Sequence, residues 1–320
     1  MKSVITGGAG YIGSTLADAL QARGDDVHIV DNFSTGREEF LTNFSGDVHR
    51  IDLTDESVSL EPIFDGADTV YHLAANADVR FGWNDTRRDL QQNVVATLRV
   101  AEAAAATKVS DVVFSSTGSV YGEATQIPTP ENAQFPDQTS LYGASKAAAE
   151  AYLSAFATNG SFRVTVMRFV SVLGPRYTHG HVIDFIRQLM KHPDHLTVLG
   201  NGTQRKSYMH IDDCIRGVMH LRTAQYGTPF GVFNLGVPEI CTVQDSVSWI
   251  TERMELNPTI KYGTEDRGWV GDNPFILLDV TKAEEHGWQA DRGIRESVEA
   301  TVDWILKNNW VLEAHDVRTT

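Results

Sequence analysis

Short apolar runs rich in Val, Ile and Phe recur along the first half of the chain: SVITGG, DVHIVDN, DTVYHLAA, DVVFSST and VTVMRFVSV. Apolar residues on consecutive positions, rather than alternate ones, mark strands buried on both faces of a parallel sheet. The stretches between them have helical character. TLADALQARG closes on a glycine suited to a C-cap, RVAEAAAATK is alanine-rich, and KAAAEAYLSAFATNG closes on Asn-Gly. This alternation predicts an α/β class with a doubly wound parallel sheet of the Rossmann type, six strands being in place by about residue 172. After Gly174-Pro175 the alternation loosens into loops such as GPRYTHGHV, LGNGTQRKSY and TEDRGWVGDNP. The expected division is therefore a dinucleotide-binding domain over 1–172 and a smaller ligand-binding portion over 173–320, with some chain crossing between them. No linker rich in Ser, Gly or Pro separates the halves, and no internal repeat is present.

Composition narrows the classes. The 320 residues carry 42 acidic against 27 basic side chains, a net charge of -15. That excess argues against a broad contact surface for nucleic acid or an anionic membrane, so any phosphate is expected to be bound locally. No apolar run approaches membrane-spanning length, and the first one reaches glycine too soon for a signal peptide, which predicts a soluble, cytoplasmic protein. Cys214 and Cys241 stand far apart without metal-ligand spacing. Neither a disulfide framework nor a metal site is expected.

The stretch VITGGAGYIG places Gly7, Gly10 and Gly13 between a strand and a helix. Such a turn lets backbone approach a pyrophosphate without an intervening Cβ, and the helix N-terminus supplies amides and a positive dipole end. Asp31 ends the next strand, about twenty residues on, where a carboxylate binds the adenosine ribose of a dinucleotide. This favours NAD, since Asp31 would repel a 2′-phosphate, although Arg37 nearby leaves NADP open. Asp52 and Leu53 follow a further strand and could flank the adenine. In SLYGASK, Tyr142 and Lys146 are four residues apart and share one helix face. A neighbouring ammonium and a cationic nicotinamide would both favour the phenolate of Tyr142, making it a candidate base. Ser115, Ser116 and Thr117 in FSSTGSVYG end a strand at the edge where open α/β sheets place ligands.

TGGAGYIG, Asp31, HLAANADV, FSSTGSVYG and YGASK, in this order, resemble the extended short-chain dehydrogenase/reductases across nearly the whole chain. RFVSVLGPR, LGNGTQRKSYMHIDD and RGWVGD look most like the UDP-glucose (UDP-galactose) 4-epimerases among them. The resemblance implies Thr117, Tyr142 and Lys146 as catalytic residues. It implies Gly7, Gly10, Tyr11, Ile12, Gly13, Asp31, Asn32, Asp52, Leu53, Leu73, Ala74, Ala75, Asn93, Tyr142 and Lys146 around NAD. For the UDP-sugar it implies Ser116, Thr117, Ser171, His181, Val182, Val198, Arg205, Lys206, Arg267 and Asp272, with either Arg205 or Lys206 meeting the diphosphate.

By the same resemblance Tyr142 takes the proton of the sugar 4-hydroxyl while a hydride leaves C4, and the resulting ketose turns over before the hydride returns. A homodimer through the alanine-rich helices is also implied. Gly118 and Ser119 stand where 4,6-dehydratases carry Asp-Glu, and Ser119 stands where uronate decarboxylases carry glutamate, so neither reaction has its expected carboxylate. Ser171 departs from the asparagine of glucose epimerases and the threonine of uronate 4-epimerases. UDP-glucuronate therefore remains an alternative substrate, with Arg176 or Arg80 as charge partners. A catalytically idle NAD-binding sensor is the alternative from another class.

Overall fold

The computed structural model of the protein describes residues 1–79, 82–133, 137–224, 227–268, 273 and 275–313. Its first half alternates strands β1 (Lys2–Thr6), β2 (Asp26–Asp31), β3 (Asp47–Arg50), β4 (Thr69–His72), β5 (Asp111–Thr117) and β6 (Arg163–Phe169) with helices. The helices are α1 (Tyr11–Ala22), α2 (Glu61–Phe64), α3 (Ala96–Ala106) and α4 (Leu141–Thr158). The remainder adds β7 (Ser171–Leu173), α5 (His181–Lys191), β8 (His195–Val198), β9 (Arg205–Lys206), β10 (Tyr208–His210), α6 (Ile211–Leu221) and β11 (Phe230–Leu235). It ends with β12 (Cys241–Thr242), α7 (Val243–Arg253), β13 (Thr259–Tyr262), α8 (Thr281–Glu285), α9 (Ile294–Lys307) and α10 (Trp310–Glu313).

Seven strands form one parallel sheet in the order β11-β6-β5-β4-β1-β2-β3. The seventh strand comes from the second half of the chain, so the two halves are threaded together and not merely docked. Consecutive side chains on each strand enter opposite layers. Val4 packs with the alanines of α3 and α4, whereas Ile5 packs with Leu16 and Leu20 of α1 and Cys214 and Val218 of α6. This is the physical content of the uninterrupted apolar runs: both faces are covered. Small side chains such as Ala101, Ala104 and Ala149 let α3 and α4 lie close to the sheet and to each other.

Strand order reverses between β1 and β4, so the carboxyl ends of these two strands diverge and leave a cleft. The glycine loop, the segment after β4 and the end of β5 all open there. Beyond the sheet lie three two-stranded pairs, β7 with β10, β8 with β13 and β9 with β12, braced by α5, α7 and α9. Their core is continuous with the α1 side of the sheet, from Ile5 and Met167 through Val182 and Ile186 to Val298 and Ile305.

Candidate active site

Three backbone facts shape the cleft's floor. Gly7 has φ +71°, and a Cβ there would lie 2.6 Å from the Ala74 nitrogen. A Cβ on Gly13 would lie 2.1 Å from the Gly7 carbonyl oxygen. Helix α1 begins after Gly10 with no side chain capping it and no acid in its first turn, so its positive end faces the cleft without a protein anion. Such a cradle, closed to any side chain and lined by amides, fits a dinucleotide diphosphate. Tyr11 and Ile12 stand in that first turn, although the Tyr11 ring turns away from it to meet the edge of Tyr177 at 5.9 Å.

Asp31 is buried at 8% exposure, and its carboxylate accepts amide hydrogens from Ala9 at 2.9 Å and Phe33 at 2.7 Å. Burial raises its pKa, while those amides and the Arg50 charge oppose the rise. Each oxygen accepts one of these bonds and keeps capacity for a ribose hydroxyl. Asn32 donates to Asp52 at 3.0 Å, and Asp52 accepts from the Thr54 amide and hydroxyl, so these residues build the turn beside Asp31. The Leu53 side chain is buried in the core. Leu73, Ala74 and Ala75 leave β4 half-buried at the cleft edge, the first two held by the Thr6 carbonyl and hydroxyl. Arg37 is half-buried beside the loop, its amide bonded to Ala9.

Helix α4 starts where the Ser140 hydroxyl accepts the Gly143 amide at 3.0 Å, which places Tyr142 in the first turn and Lys146 one turn later on the same face. Thr117 ends β5 opposite them, close enough to the Tyr142 phenol to influence its ionisation. Lys146 is 2% exposed, donates to the Ser115 carbonyl at 2.8 Å and lies 4.6 Å from the centre of the Phe114 ring. The three predicted catalytic side chains therefore converge. Their electrostatics differ from the expected picture. Burial pushes the Tyr142 phenol up to about 12, outweighing the Thr117 hydrogen bond, with the Asp89 charge adding to the rise. Burial also pulls Lys146 down to about 7, against the pull of Glu150. Protein groups alone hold the phenol protonated, so a base at Tyr142 requires further positive charge beside it.

On the far side of the cleft, His181 opens α5 with its Nε2 2.8 Å from the Ser246 hydroxyl and its ring tilted on Tyr208 at 4.9 Å. Burial and the Lys206 charge lower it to about 4, so it is a neutral hydrogen-bonding group. Arg205 and Lys206 lie on one short strand and therefore point to opposite faces. The Arg205 guanidinium is exposed and stacks 3.8 Å over the Phe275 ring; Lys206 is half-buried and donates to the Asn273 carbonyl. Arg267 pairs with Glu123 at 2.7 Å. Ser171 is exposed at the start of β7. Asp272 and Arg80 lie outside the described residues.

The structure gives the surroundings of several further residues that the resemblance implied at the ligands. Val182 and Val198, implied at the UDP-sugar, are 0% and 2% exposed, because the apolar faces of α5 and β8 turn into the core, so only their backbone could meet a ligand. Ser116 was assigned to substrate, yet it is buried and its hydroxyl donates to Glu150. Asn93, assigned to the cofactor, is buried with its amide engaged by the Asn76 backbone and the Ser145 hydroxyl. Arg176, a suggested partner for a sugar carboxylate, binds Asp18 at 2.5 Å and lies over Phe40. The sequence reading passed over Glu150 and Arg168, which form a buried ion pair behind Lys146. The four-residue spacing from Lys146 to Glu150 was the available signal. Asp89, buried and within electrostatic reach of Tyr142, gave no such signal.

Residues 3–236 match the family model described as NAD dependent epimerase/dehydratase family, nearly the whole span from β1 to β11. The chain belongs to this family. NAD is accordingly its dinucleotide, in agreement with the acidic residue at Asp31. A solved UDP-galactose 4-epimerase is 38% identical with a TM-score of 0.87, over 97% of this chain and all of that one. UDP-glucuronic acid 4-epimerase from Bacillus cereus, solved with UDP-glucuronic acid and NAD, is 27% identical with a TM-score of 0.87, over 96% and 100%. UDP-glucuronic acid decarboxylase 4 of Arabidopsis thaliana is 32% identical over 100% of this chain and 72% of its own length. Members similar to this chain thus include both epimerases and decarboxylases. Among the described residues no helix is long and apolar enough to cross a membrane, and no cluster of side chains is suited to hold a metal ion.

Proposed function

We propose that the protein is a 4-epimerase of a UDP-hexose, interconverting UDP-glucose and UDP-galactose. The observation that carries this reading is the convergence of Thr117, Tyr142 and Lys146 at the end of β5, with Gly118 and Ser119 as the next two residues in place of carboxylates. Decarboxylation or dehydration at the neighbouring carbons would need an acid or base there. Epimerisation at C4 needs one hydroxyl deprotonated and reprotonated, which a single phenol can do.

Bound NAD+ would supply the hydride acceptor and donor for C4 and the ring charge that lowers the Tyr142 phenol. Tyr142 then takes the proton of the 4-hydroxyl and later returns it. Thr117 holds the same oxygen through its hydroxyl, itself fixed by the Ser119 amide at 3.1 Å and hydroxyl at 3.2 Å. Lys146 has three ammonium hydrogens, of which the Ser115 carbonyl takes one. The others are available to the ribose on the nicotinamide side. His181, Lys206 and Arg267 would grip UDP, leaving the hexose loosely held so that it can present either face.

The exposed hydroxyl of Ser171 and the similarity to a UDP-glucuronic acid 4-epimerase support UDP-glucuronate as a second substrate reading. The engagement of Arg176 by Asp18 weighs against it. The catalytic convergence likewise weighs against an idle sensor. A homodimer through the alanine-rich helices is supported by the exposed Tyr152 of α4. Incubation with UDP-glucose, UDP-galactose and UDP-glucuronate in turn, followed by NMR of the anomeric protons, tests the function. The first two should interconvert without added cofactor. Conversion of UDP-glucuronate alone would move the assignment to the uronate, and release of carbon dioxide would overturn epimerisation.

A further inference from the structure

Behind Lys146 lies a connected set of buried polar groups that the proposed reaction does not use. Glu150 follows Lys146 by one helical turn and is 4% exposed. Its carboxylate accepts both Arg168 Nη2 at 2.6 Å and Nε at 3.0 Å, and its Oε1 also accepts the Ser116 hydroxyl. Arg168 continues to the Tyr121 hydroxyl at 2.7 Å and the Glu131 carbonyl at 3.1 Å. Tyr121 donates to Asn234 on β11 at 2.8 Å, and the Asn234 amide reaches the carbonyls of Thr129 and Asp279.

We propose that Glu150, fixed by Arg168, is a positioning residue that favours the charged form of Lys146 and holds the Ser116–Thr117 end of β5 beside it. Replacing a buried ion pair of this kind with apolar groups is often neutral or stabilising, so its presence calls for a role other than stability. The surroundings of Lys146 show what that role is. From α4 it is faced by Tyr142 and Glu150, from β5 by the Ser115 carbonyl and the Phe114 ring, and from β4 by His72. His72 offers no negative charge. Its two ring nitrogens bond Thr6 and Thr97, and burial pulls it down to about 3. Glu150, one helical turn from Lys146 and paired with the Arg168 guanidinium from β6, is the α4 carboxylate that opposes part of the effect of burial on Lys146. The bidentate Arg168 contact has a second consequence. It occupies the carboxylate, so Glu150 acts on Lys146 through space while the Lys146 ammonium donates to the Ser115 carbonyl. The same carboxylate ties down Ser116, next to Thr117. One group therefore sets the charge of Lys146 and the place of the strand end opposite Tyr142.

The inference rests on Lys146 serving the ligand as a cation, as in the epimerase reading. It is tested on the holoprotein by carbon-13 NMR of [ε-¹³C]lysine, the Lys146 signal being assigned by its loss in Lys146→Met. Glu150→Gln should lower the Lys146 titration midpoint by about one pH unit or more, since removing a nearby opposite charge disfavours the ammonium. The double variant Glu150→Gln/Arg168→Met, which leaves no unpaired buried cation, should lower it too. Glu150→Asp, which keeps the charge, should move it least and restore most of the turnover. The alkaline limb of kcat/KM should fall to lower pH by the same interval in the Gln variants. An unchanged Lys146 midpoint in both Gln variants would overturn the proposal. A lowered midpoint in a protein that interconverts no UDP-sugar would uphold it while removing the epimerase reading.

Discussion

The two places where this protein would meet diphosphates are built from different materials. At the glycine loop the contact is backbone: Gly7 and Gly13 leave no room for a Cβ, and α1 begins without a capping side chain. Across the cleft the contact would be side chain: Lys206 and Arg267, proposed for the UDP end, already hold protein partners, the Asn273 carbonyl and Glu123. A backbone cradle is formed before its ligand arrives and loses little entropy on binding. Cations on long side chains must exchange one partner for another, which weakens the grip and lets it reverse. That contrast suits an enzyme that keeps its cofactor through every turnover and releases its substrate after each one.

Gly13→Val should have the largest effect on the contrast, because its Cβ would enter the space of the Gly7 carbonyl. The variant should purify without NAD, read from its absorbance ratio, and show no turnover; retention of NAD would mean the diphosphate lies elsewhere. Tyr142→Phe should reduce turnover about 10²–10⁴-fold, the range for losing a general base, while calorimetry shows UDP binding preserved. Weakened UDP binding with normal turnover would move Tyr142 from chemistry to recognition. Arg267→Ala should weaken UDP binding about tenfold, roughly 1.4 kcal/mol for a charge-assisted contact, and leave NAD content unchanged. Raising salt should weaken wild-type UDP binding in the same direction without stripping NAD, since exposed side-chain charges are screened more than buried amides.

How far the sequence disclosed this architecture follows the same division. The glycine loop, Asp31 and the Tyr142–Lys146 face could be read because each depends on neighbours in sequence: a turn, a strand end, a helical spacing. What could not be read is where a distant residue decides the surroundings of a side chain. Ser116 is taken up by Glu150 on the next helix, and Asn93 by Ser145, 52 positions on. Arg176 meets Asp18 from 158 positions away. Val182 and Val198 show a related limit of local reading, since a residue beside a loop in sequence can still turn its side chain into the core. The seventh strand gave little local warning either. Phe230–Leu235 joins the sheet only because β6 presents an unpaired edge to it.

In the proposed epimerisation a hydride leaves C4 of the sugar and returns to the same carbon from within the same site. UDP-glucose deuterated at C4, incubated with the purified protein in ordinary water without added cofactor, tests it most directly. UDP-galactose should form with its deuterium kept at C4 and with no accumulation of NADH at 340 nm. Loss of the label to solvent, or stoichiometric NADH, would contradict it.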